Sequence, residues 1–204
     1  MSGAGVTVRW GRLDEHRADR FEPLLCAGER ERAASFRFAR DRERFVVARG
    51  LLRTLLGECL GQEPGRIRFA YGERGKPRLA GAGELRFNLS HSRDVVAIAL
   101  SEGREVGIDV EARREFPRAE GIARRFLPPA ATGGIDWAGK DLSRDFFRTW
   151  VRQEAYAKGC GAGLAAIGVR PSAWTLADLE LPNAYAGAVA VEGTTRLRVR
   201  MRPI

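Results

Sequence analysis

Long apolar runs, cysteines and lysines are all scarce in this chain of 204 residues. No stretch of about 18 apolar residues occurs, which excludes an ordinary membrane-spanning helix. The first ten residues, MSGAGVTVRW, lack a basic start followed by an apolar core, so we expect no secretion signal. Cys26, Cys59 and Cys160 are odd in number and far apart, which predicts neither a disulfide framework nor a zinc site. We therefore expect a cytoplasmic protein that does not bind membranes.

The charge is unbalanced, and very little of the positive charge comes from lysine. The 35 basic and 26 acidic residues give a net charge of +9. Such a surface attracts nucleic acid, phosphate-rich ligands or acidic proteins, unless it is merely solvated. The only lysines are Lys76, Lys140 and Lys158, and the only histidines are His16 and His91. These few residues are candidates for places where a compact or titratable charge matters.

Hydrophobic periodicity predicts both helices and strands. Strong helices are expected at 41–60 and 142–158, a helical region broken by Pro23 and Gly28 at 13–38, and a short helix at 119–126. Strands are expected around 6–10, at 67–70 and within 174–202. Each half thus contains a long helix and strands. A pseudo-twofold pairing of two halves would explain this order, although composition alone does not establish it.

Three short extended segments at 85–89, 95–100 and 106–110 form the centre of the pattern, with a polar turn, Ser90-His91-Ser92, after the first. Asp109 and Glu111 are two residues apart in the third segment, so they point to the same side of a strand. Paired carboxylates repel one another unless a cation or a proton lies between them. This pair is the first chemical clue in the sequence.

Glu154 adds a third carboxylate from the second long helix. Three oxygen donors without histidine or cysteine favour a hard cation, above all Mg²⁺. Lys76, Lys158, His91 and the Ser90 and Ser92 hydroxyls could contact phosphate. This combination is typical of phosphoryl-type transfer, in which positioning and charge neutralisation supply most of the catalysis.

Each of these features also has a purely structural interpretation. Glu154 and Lys158 are four residues apart, as in a surface salt bridge on a helix. Asp109 and Glu111 could be solvated at a strand end, and His91 could bond to the backbone of a turn. The arginines of the helix at 41–60 could form a solvated face or grip phosphate.

A set of motifs in this order resembles the phosphopantetheinyl transferases, specifically the larger monomeric type that activates nonribosomal peptide and polyketide synthases. The matching segments are GKPRL at 75–79, FNLSHS at 87–92, VGIDVE at 106–111 and WVRQEAYAKGCGAGL at 150–164. The segment RFVVARGLLRTLL at 44–56 also resembles the family's N-terminal helix.

The resemblance implies an α+β fold, a pseudodimer of two similar α/β halves, each a small mostly antiparallel sheet packed on a long helix. The halves are expected at 1–101 and 102–204, with coenzyme A contacts in the first, metal carboxylates and the catalytic helix in the second, and the active site between them. The implied enzyme transfers the 4′-phosphopantetheine arm of coenzyme A to a serine of an apo acyl, peptidyl or aryl carrier protein. It needs Mg²⁺, or Mn²⁺ in its place, releases adenosine 3′,5′-bisphosphate, and acts as a monomer, in this type commonly in secondary metabolism.

Residue roles follow from the resemblance by position. It implies metal carboxylates at Asp109, Glu111 and Glu154. It implies catalytic roles for Glu154, which would accept the serine proton directly or through a water, and for Lys158, which would lie near the transferred phosphate. Coenzyme A contacts are implied at Arg49, Lys76, Pro77, Ser90 and His91, the histidine touching the 3′-phosphate.

Two departures and two alternatives accompany this hypothesis. Gln153 stands where members often carry lysine. The segment RRFLPPA at 124–130 lacks an acidic residue that members often have there, and this second departure bears on the choice of carrier protein. A non-catalytic coenzyme A-binding or carrier-binding homologue would keep the fold, but the carboxylate trio argues against it. A nucleic-acid-binding protein would explain the charge, but no recognition helix or aromatic stacking motif is evident, so we expect no nucleic-acid partner.

Overall fold

The computed structural model describes residues 5–81, 83–169 and 172–204, and the side chain of Leu164 lies outside the description. Predictions that concern residues 1–4 therefore lie outside the described part. The strands are β1 (Gly5–Arg12), β2 (Phe69–Tyr71), β3 (Pro77–Leu79), β4 (Leu85–Ser92), β5 (Val95–Glu102), β6 (Val106–Ala112), β7 (Trp174–Asp178), β8 (Tyr185–Glu192) and β9 (Arg198–Pro203). The α-helices are α1 (Ala27–Ala34), α2 (Ala39–Leu60), α3 (Ala119–Phe126), α4 (Pro129–Thr132) and α5 (Leu142–Cys160).

Two sheets form the middle of the molecule. The first has the order β4-β5-β1-β9 and the second the order β6-β8-β7, while β2 and β3 form a separate hairpin. Apolar side chains of β1, β5, β6 and β8 pack together between the sheets. Since β5 and β8 are covered on both faces, nearly every residue in them is buried. This explains why their sequences are continuous apolar runs without alternation.

One long helix covers the outer face of each sheet. Helix α2 packs its apolar stripe, including Leu52 and Leu56, on β5 side chains such as Ile98. Helix α5 packs Phe147, Val151 and Ala155 on the alanines of β8. Both helices end at a glycine in the left-handed conformation, Gly61 with φ 62° and Gly161 with φ 67°. The prediction of an α+β fold with one long helix on each sheet is confirmed.

The sequence predictions fail in two stretches near the first sheet. Only α1 within 13–38 is α-helical, and 3₁₀ turns at Leu13–Glu15, Ala18–Arg20 and Glu22–Leu24 occupy the part before it. Pro23 lacks a backbone donor and cannot continue a helix. The predicted polar turn at 90–92 is instead the end of β4, and the chain turns at Arg93, whose φ is 50°.

Strand β9 joins the two predicted halves. It comes from the C-terminal half but pairs in parallel with β1, so that Val8 lies beside Met201. The first sheet therefore contains one strand from beyond residue 101. None of the helices in the described ranges is both long and apolar enough to cross a membrane.

Candidate active site

Strand β4 meets the edge of β6 through side chains instead of backbone. Asn88 Oδ1 accepts the Ile108 N–H at 2.9 Å, and the Ser90 and Ser92 hydroxyls accept the N–H groups of Val110 and Ala112 at 3.3 and 3.0 Å. These three residues are two positions apart along β4, so their side chains all point toward the second sheet. Donors at the edge of β6 are thus satisfied, and the two sheets are joined at the place where the carboxylates lie.

The same serines bind the paired carboxylates. The Ser90 hydroxyl donates to Asp109 Oδ1 at 2.9 Å, and the Ser92 hydroxyl donates to Glu111 Oε2 at 2.9 Å. Asp109 and Glu111 therefore share one side of β6, as their spacing predicts. The contact between Ser92 and Glu111 was not predicted, since Ser92 was selected only as a candidate phosphate contact; it corresponds to the contact between Ser90 and Asp109. The alternation of polar residues in FNLSHS was the signal that could have identified it.

Helix α5 approaches β6 closely because Gly107 has no side chain. A Cβ at Gly107 would lie 2.0 Å from the Ala155 carbonyl oxygen and 2.3 Å from the Gly159 nitrogen. No side chain other than hydrogen fits at such distances. The close approach places Glu154 and Lys158 of α5 over the carboxylates of β6.

Lys158 pairs with β6, not with its helix neighbour. Its Nζ lies 2.5 Å from Asp109 Oδ1 and 3.0 Å from the Ser90 hydroxyl oxygen. Within the described residues, Glu154 makes no hydrogen bond or ion pair, so the surface salt bridge considered for Glu154 and Lys158 is absent. The interpretation of these two residues as a simple solvated pair is therefore wrong.

Burial raises the pKa of Asp109, although Lys158 and the Ser90 hydroxyl favour its charged form. Burial also raises the pKa of Glu154, and the negative charges of Asp109 and Glu111 act in the same direction. The three predicted carboxylates are thus close enough to influence one another. Arg114, which the sequence analysis did not select, lies 3.4 Å from Glu111 Oε2 and offsets part of the negative charge.

The suitability of these residues for a metal ion can be judged from their atoms. No group of three or more His, Cys, Asp or Glu side chains in the described ranges is arranged to hold a metal ion, so the trio is not gathered into a preformed cluster. Asp109 Oδ2, however, is buried and has no hydrogen-bond partner. An unpaired buried carboxylate oxygen is costly unless a cation or proton meets it. The donor set of carboxylate oxygens fits a hard divalent cation.

His91 and Arg49, both predicted to contact coenzyme A, have different surroundings. His91 is exposed near the end of β4, and partial desolvation, followed by the positive charges of Lys158 and Arg44, lowers its pKa. Arg49 is held by Glu29, with 2.5 Å between Nη2 and Oε1. The structure therefore brings His91 toward Lys158 and Arg44. The guanidinium groups of both arginines are already engaged, since Arg44 binds Asp94 at 2.7 Å.

Lys76 and Pro77 line a cleft of about 680 Å³ between the two halves. Its walls come from the β2–β3 hairpin, from β4 near Phe87, from Glu105 and from the end of α5 around Gly161. Its lining also includes the charged residues Glu73, Arg74, Arg78 and Arg86. It is large enough for a cofactor-sized ligand.

Comparison with known proteins identifies the family. The family model for the N-terminal region of 4′-phosphopantetheinyl transferase matches residues 15–103, and the model for the 4′-phosphopantetheinyl transferase superfamily matches residues 105–198. The 4′-phosphopantetheinyl transferase HetI of Nostoc is 37% identical over 188 residues, which cover 83% of this chain and 79% of HetI.

Other relatives carry the same description. The 4′-phosphopantetheinyl transferase AcpT of Escherichia coli K12 is 34% identical, over 74% of this chain and 68% of AcpT. The 4′-phosphopantetheinyl transferase Sfp of Bacillus subtilis is 27% identical, over 85% of this chain and 79% of Sfp. The chain therefore belongs to the 4′-phosphopantetheinyl transferase superfamily.

Proposed function

We propose that this protein transfers the 4′-phosphopantetheine arm of coenzyme A to a serine of an apo carrier protein. The observation that carries the proposal is the meeting of Asp109, Glu154 and Lys158 at the junction of the two halves, beside a cleft that could hold a cofactor. A non-catalytic homologue would have no need for a buried carboxylate oxygen, Asp109 Oδ2, that lacks a hydrogen-bond partner. This makes the enzyme the better explanation of the site.

The reaction requires one bond to form and one to break. The serine oxygen of the carrier attacks the phosphorus next to the pantetheine arm, and the bond from that phosphorus to adenosine 3′,5′-bisphosphate breaks. The proton of the serine hydroxyl passes to a base, for which we propose Glu154, directly or through a water. The Lys158 ammonium is placed to neutralise charge that develops on the phosphoryl oxygens.

We propose that Asp109, Glu111 and Glu154 hold Mg²⁺, or Mn²⁺ in its place. Such an ion would supply charge neutralisation on the diphosphate. Asp109 Oδ1 is shared by Lys158 and Ser90, and the buried Asp109 Oδ2 has no hydrogen-bond partner, which fits a cation at that oxygen. The Ser92 hydroxyl orients Glu111.

We propose that coenzyme A lies in the cleft lined by Lys76 and Pro77 and reaches the end of β4, where Ser90 and His91 lie. Arg44 and Arg49 are both engaged by carboxylates, because Arg44 Nη2 lies 2.7 Å from Asp94 Oδ1 and Arg49 Nη2 lies 2.5 Å from Glu29 Oε1. The assignment of Arg49 stays a prediction. The proposed carrier is a small acidic protein, which the basic surface would steer toward the site, and we propose a monomer that acts in the cytoplasm.

The test is intact mass spectrometry of an apo carrier protein after incubation with the protein, coenzyme A and Mg²⁺. We expect a mass gain of one phosphopantetheine that is abolished by EDTA and by Glu154→Ala. Glu180 is an exposed carboxylate in the second half, so Glu180→Gln is the matched control and should retain activity. Coenzyme A binding without transfer to any of several carriers would favour the non-catalytic homologue.

A further inference from the structure

The β2–β3 hairpin needs support from outside itself. It pairs with no other strand of the described sheets, and isolated two-stranded hairpins are marginally stable in water. Its base is anchored by Phe69, whose ring lies 5.6 Å from that of Phe87 and under the guanidinium of Arg49. Its tip, at residues 72–76, extends away from this anchor along the wall of the cleft.

The tip is fastened to the other half of the molecule by two cations. Lys76 Nζ donates to Glu105 Oε2 at 2.5 Å, to the Val106 carbonyl at 3.2 Å, and also to the carbonyl of Gly159. Arg74 donates to the carbonyl of Ala162. Carbonyls at a helix C-terminus lack helical partners and carry partial negative charge, so Lys76 satisfies the last turn of α5, and Arg74 binds the segment just after it.

Glu105 connects this contact to the first sheet. Its other oxygen, Oε1, lies 3.1 Å from Nε of Arg86 on β4. One carboxylate therefore holds the hairpin lysine and a β4 arginine together, directly before β6 begins. We name the contact among Lys76, Glu105 and the Gly159 carbonyl the hairpin clasp.

We propose that the hairpin clasp positions the cleft wall for coenzyme A, and that Glu105 and Lys76 are positioning residues. This inference rests on the proposed function for the identity of the ligand. The Lys76 ammonium already has a carboxylate and two carbonyl acceptors, which leaves it no free donor for a phosphate. Its contact with Gly159 also holds the end of the helix that carries Glu154 and Lys158.

The clasp and a direct phosphate contact predict opposite effects of Glu105→Gln. If Lys76 bound phosphate, Glu105 would compete for the ammonium, and its removal would leave coenzyme A binding unchanged or tighter. If Lys76 positions the hairpin, removal of Glu105 releases the tip and weakens binding. The sign of the change in Kd therefore distinguishes the two roles.

The experiment measures coenzyme A binding by calorimetry and transfer kinetics for wild type, Glu105→Gln, Lys76→Met and the double variant. We expect Kd and KM for coenzyme A to rise about tenfold in each, with kcat within about twofold of wild type. The double variant should be little worse than either single one, because both break the same contact. Glu180→Gln is the matched control for loss of a carboxylate.

A second measurement needs no ligand. Hydrogen exchange of residues 69–79 should be faster in Glu105→Gln than in wild type and in Glu180→Gln. Unchanged exchange, or unchanged or tighter binding in Glu105→Gln, would overturn the clasp. If the wild type bound no coenzyme A, the proposed function would fail, while the exchange measurement would still decide whether the clasp holds the hairpin.

Discussion

Lys158 of α5 and Asp109 of β6 are joined by a 2.5 Å contact between Nζ and Oδ1, with the Ser90 hydroxyl bonded to both atoms. The contact connects the long helix of the second half to the strand that carries the paired carboxylates. Asp109 is 6% exposed and Lys158 is 33% exposed in their side chains, so the lysine can reach a ligand from the side of solvent while it remains bound to the carboxylate.

Replacement of Lys158 should therefore affect catalysis far more than the loss of one surface charge would. We expect Lys158→Met to lower kcat/KM for transfer at least about 100-fold, because the charge that meets the phosphoryl oxygens is removed. Steady-state transfer assays will measure this. Lys140→Met is the control, since Lys140 is exposed and makes no ion pair with the described residues. Equal activity of the two variants would contradict the role of Lys158.

Gly107 should tolerate no side chain. In Gly107→Ala the new methyl group would overlap the Ala155 carbonyl, so α5 must move away from β6. We expect a loss of about 3 kcal/mol or more in the free energy of unfolding, measured by denaturant titration.

Gly121 provides the opposite control for this prediction. It lies within α3 with open space around it, so Gly121→Ala should stabilise the protein by about 0.5–1 kcal/mol. If both variants had the same stability, the close contact of Gly107 with α5 would not be needed for folding.

Glu29 should make the free energy of unfolding depend on pH in the acidic range. Burial alone would raise the pKa of Glu29, but the charge of Arg49, a hydrogen bond from the Cys26 N–H and the side-chain hydrogen bonds from Arg49 and Arg53 lower it below its ordinary value of 4.5. A carboxylate with a lowered pKa stabilises the fold above its unfolded pKa, and this contribution disappears as pH falls through the folded pKa.

We expect Glu29→Gln to cost about 3–5 kcal/mol near neutral pH, because it leaves the buried Arg53 without its carboxylate. The difference from wild type should shrink as pH falls from 4.5 through the lower pKa of folded Glu29, because wild-type Glu29 then also loses its charge. Urea unfolding at a series of pH values will test this. A difference independent of pH would show that ionised Glu29 is not the source.

Arg44 and Arg49 each bind a carboxylate, and their replacement tests which of the two also contacts coenzyme A. Arg44→Gln should raise KM for coenzyme A about tenfold if Arg44 meets an anion beside His91. Both variants should lower the melting temperature, and Arg49→Gln should lower it more. Its partner Glu29 is 4% exposed, whereas Asp94, which binds Arg44 at 2.7 Å, is 18% exposed. Transfer kinetics and thermal unfolding of both variants give the answer. A KM effect confined to Arg49→Gln would restore the original assignment of that residue.

Local patterns predicted most elements well, and they were least successful where distant residues supply the partners. The helix at 119–126 has the predicted bounds, and α2 and α5 begin and end within two residues of their predicted limits. Ser90, His91 and Ser92 were predicted as a turn because three polar residues in a row usually leave a sheet. Their backbone pairs with Val95, Val96 and Ala97 of β5, while the hydroxyls of Ser90 and Ser92 bind the edge of β6, some twenty residues away.

By itself the sequence determined the family, the two long helices and the placement of Asp109 and Glu111 on one side of a strand, because these depend on residue type and on periods of two or 3.6 residues. Tertiary structure alone decided that Lys158 pairs with Asp109 and not with Glu154, that Lys76 fastens the hairpin to α5, and that Arg49 binds Glu29. Each of these contacts joins two residues that are far apart in the chain. The geometry of packing, above all the close approach of α5 to Gly107, selects which of them meet.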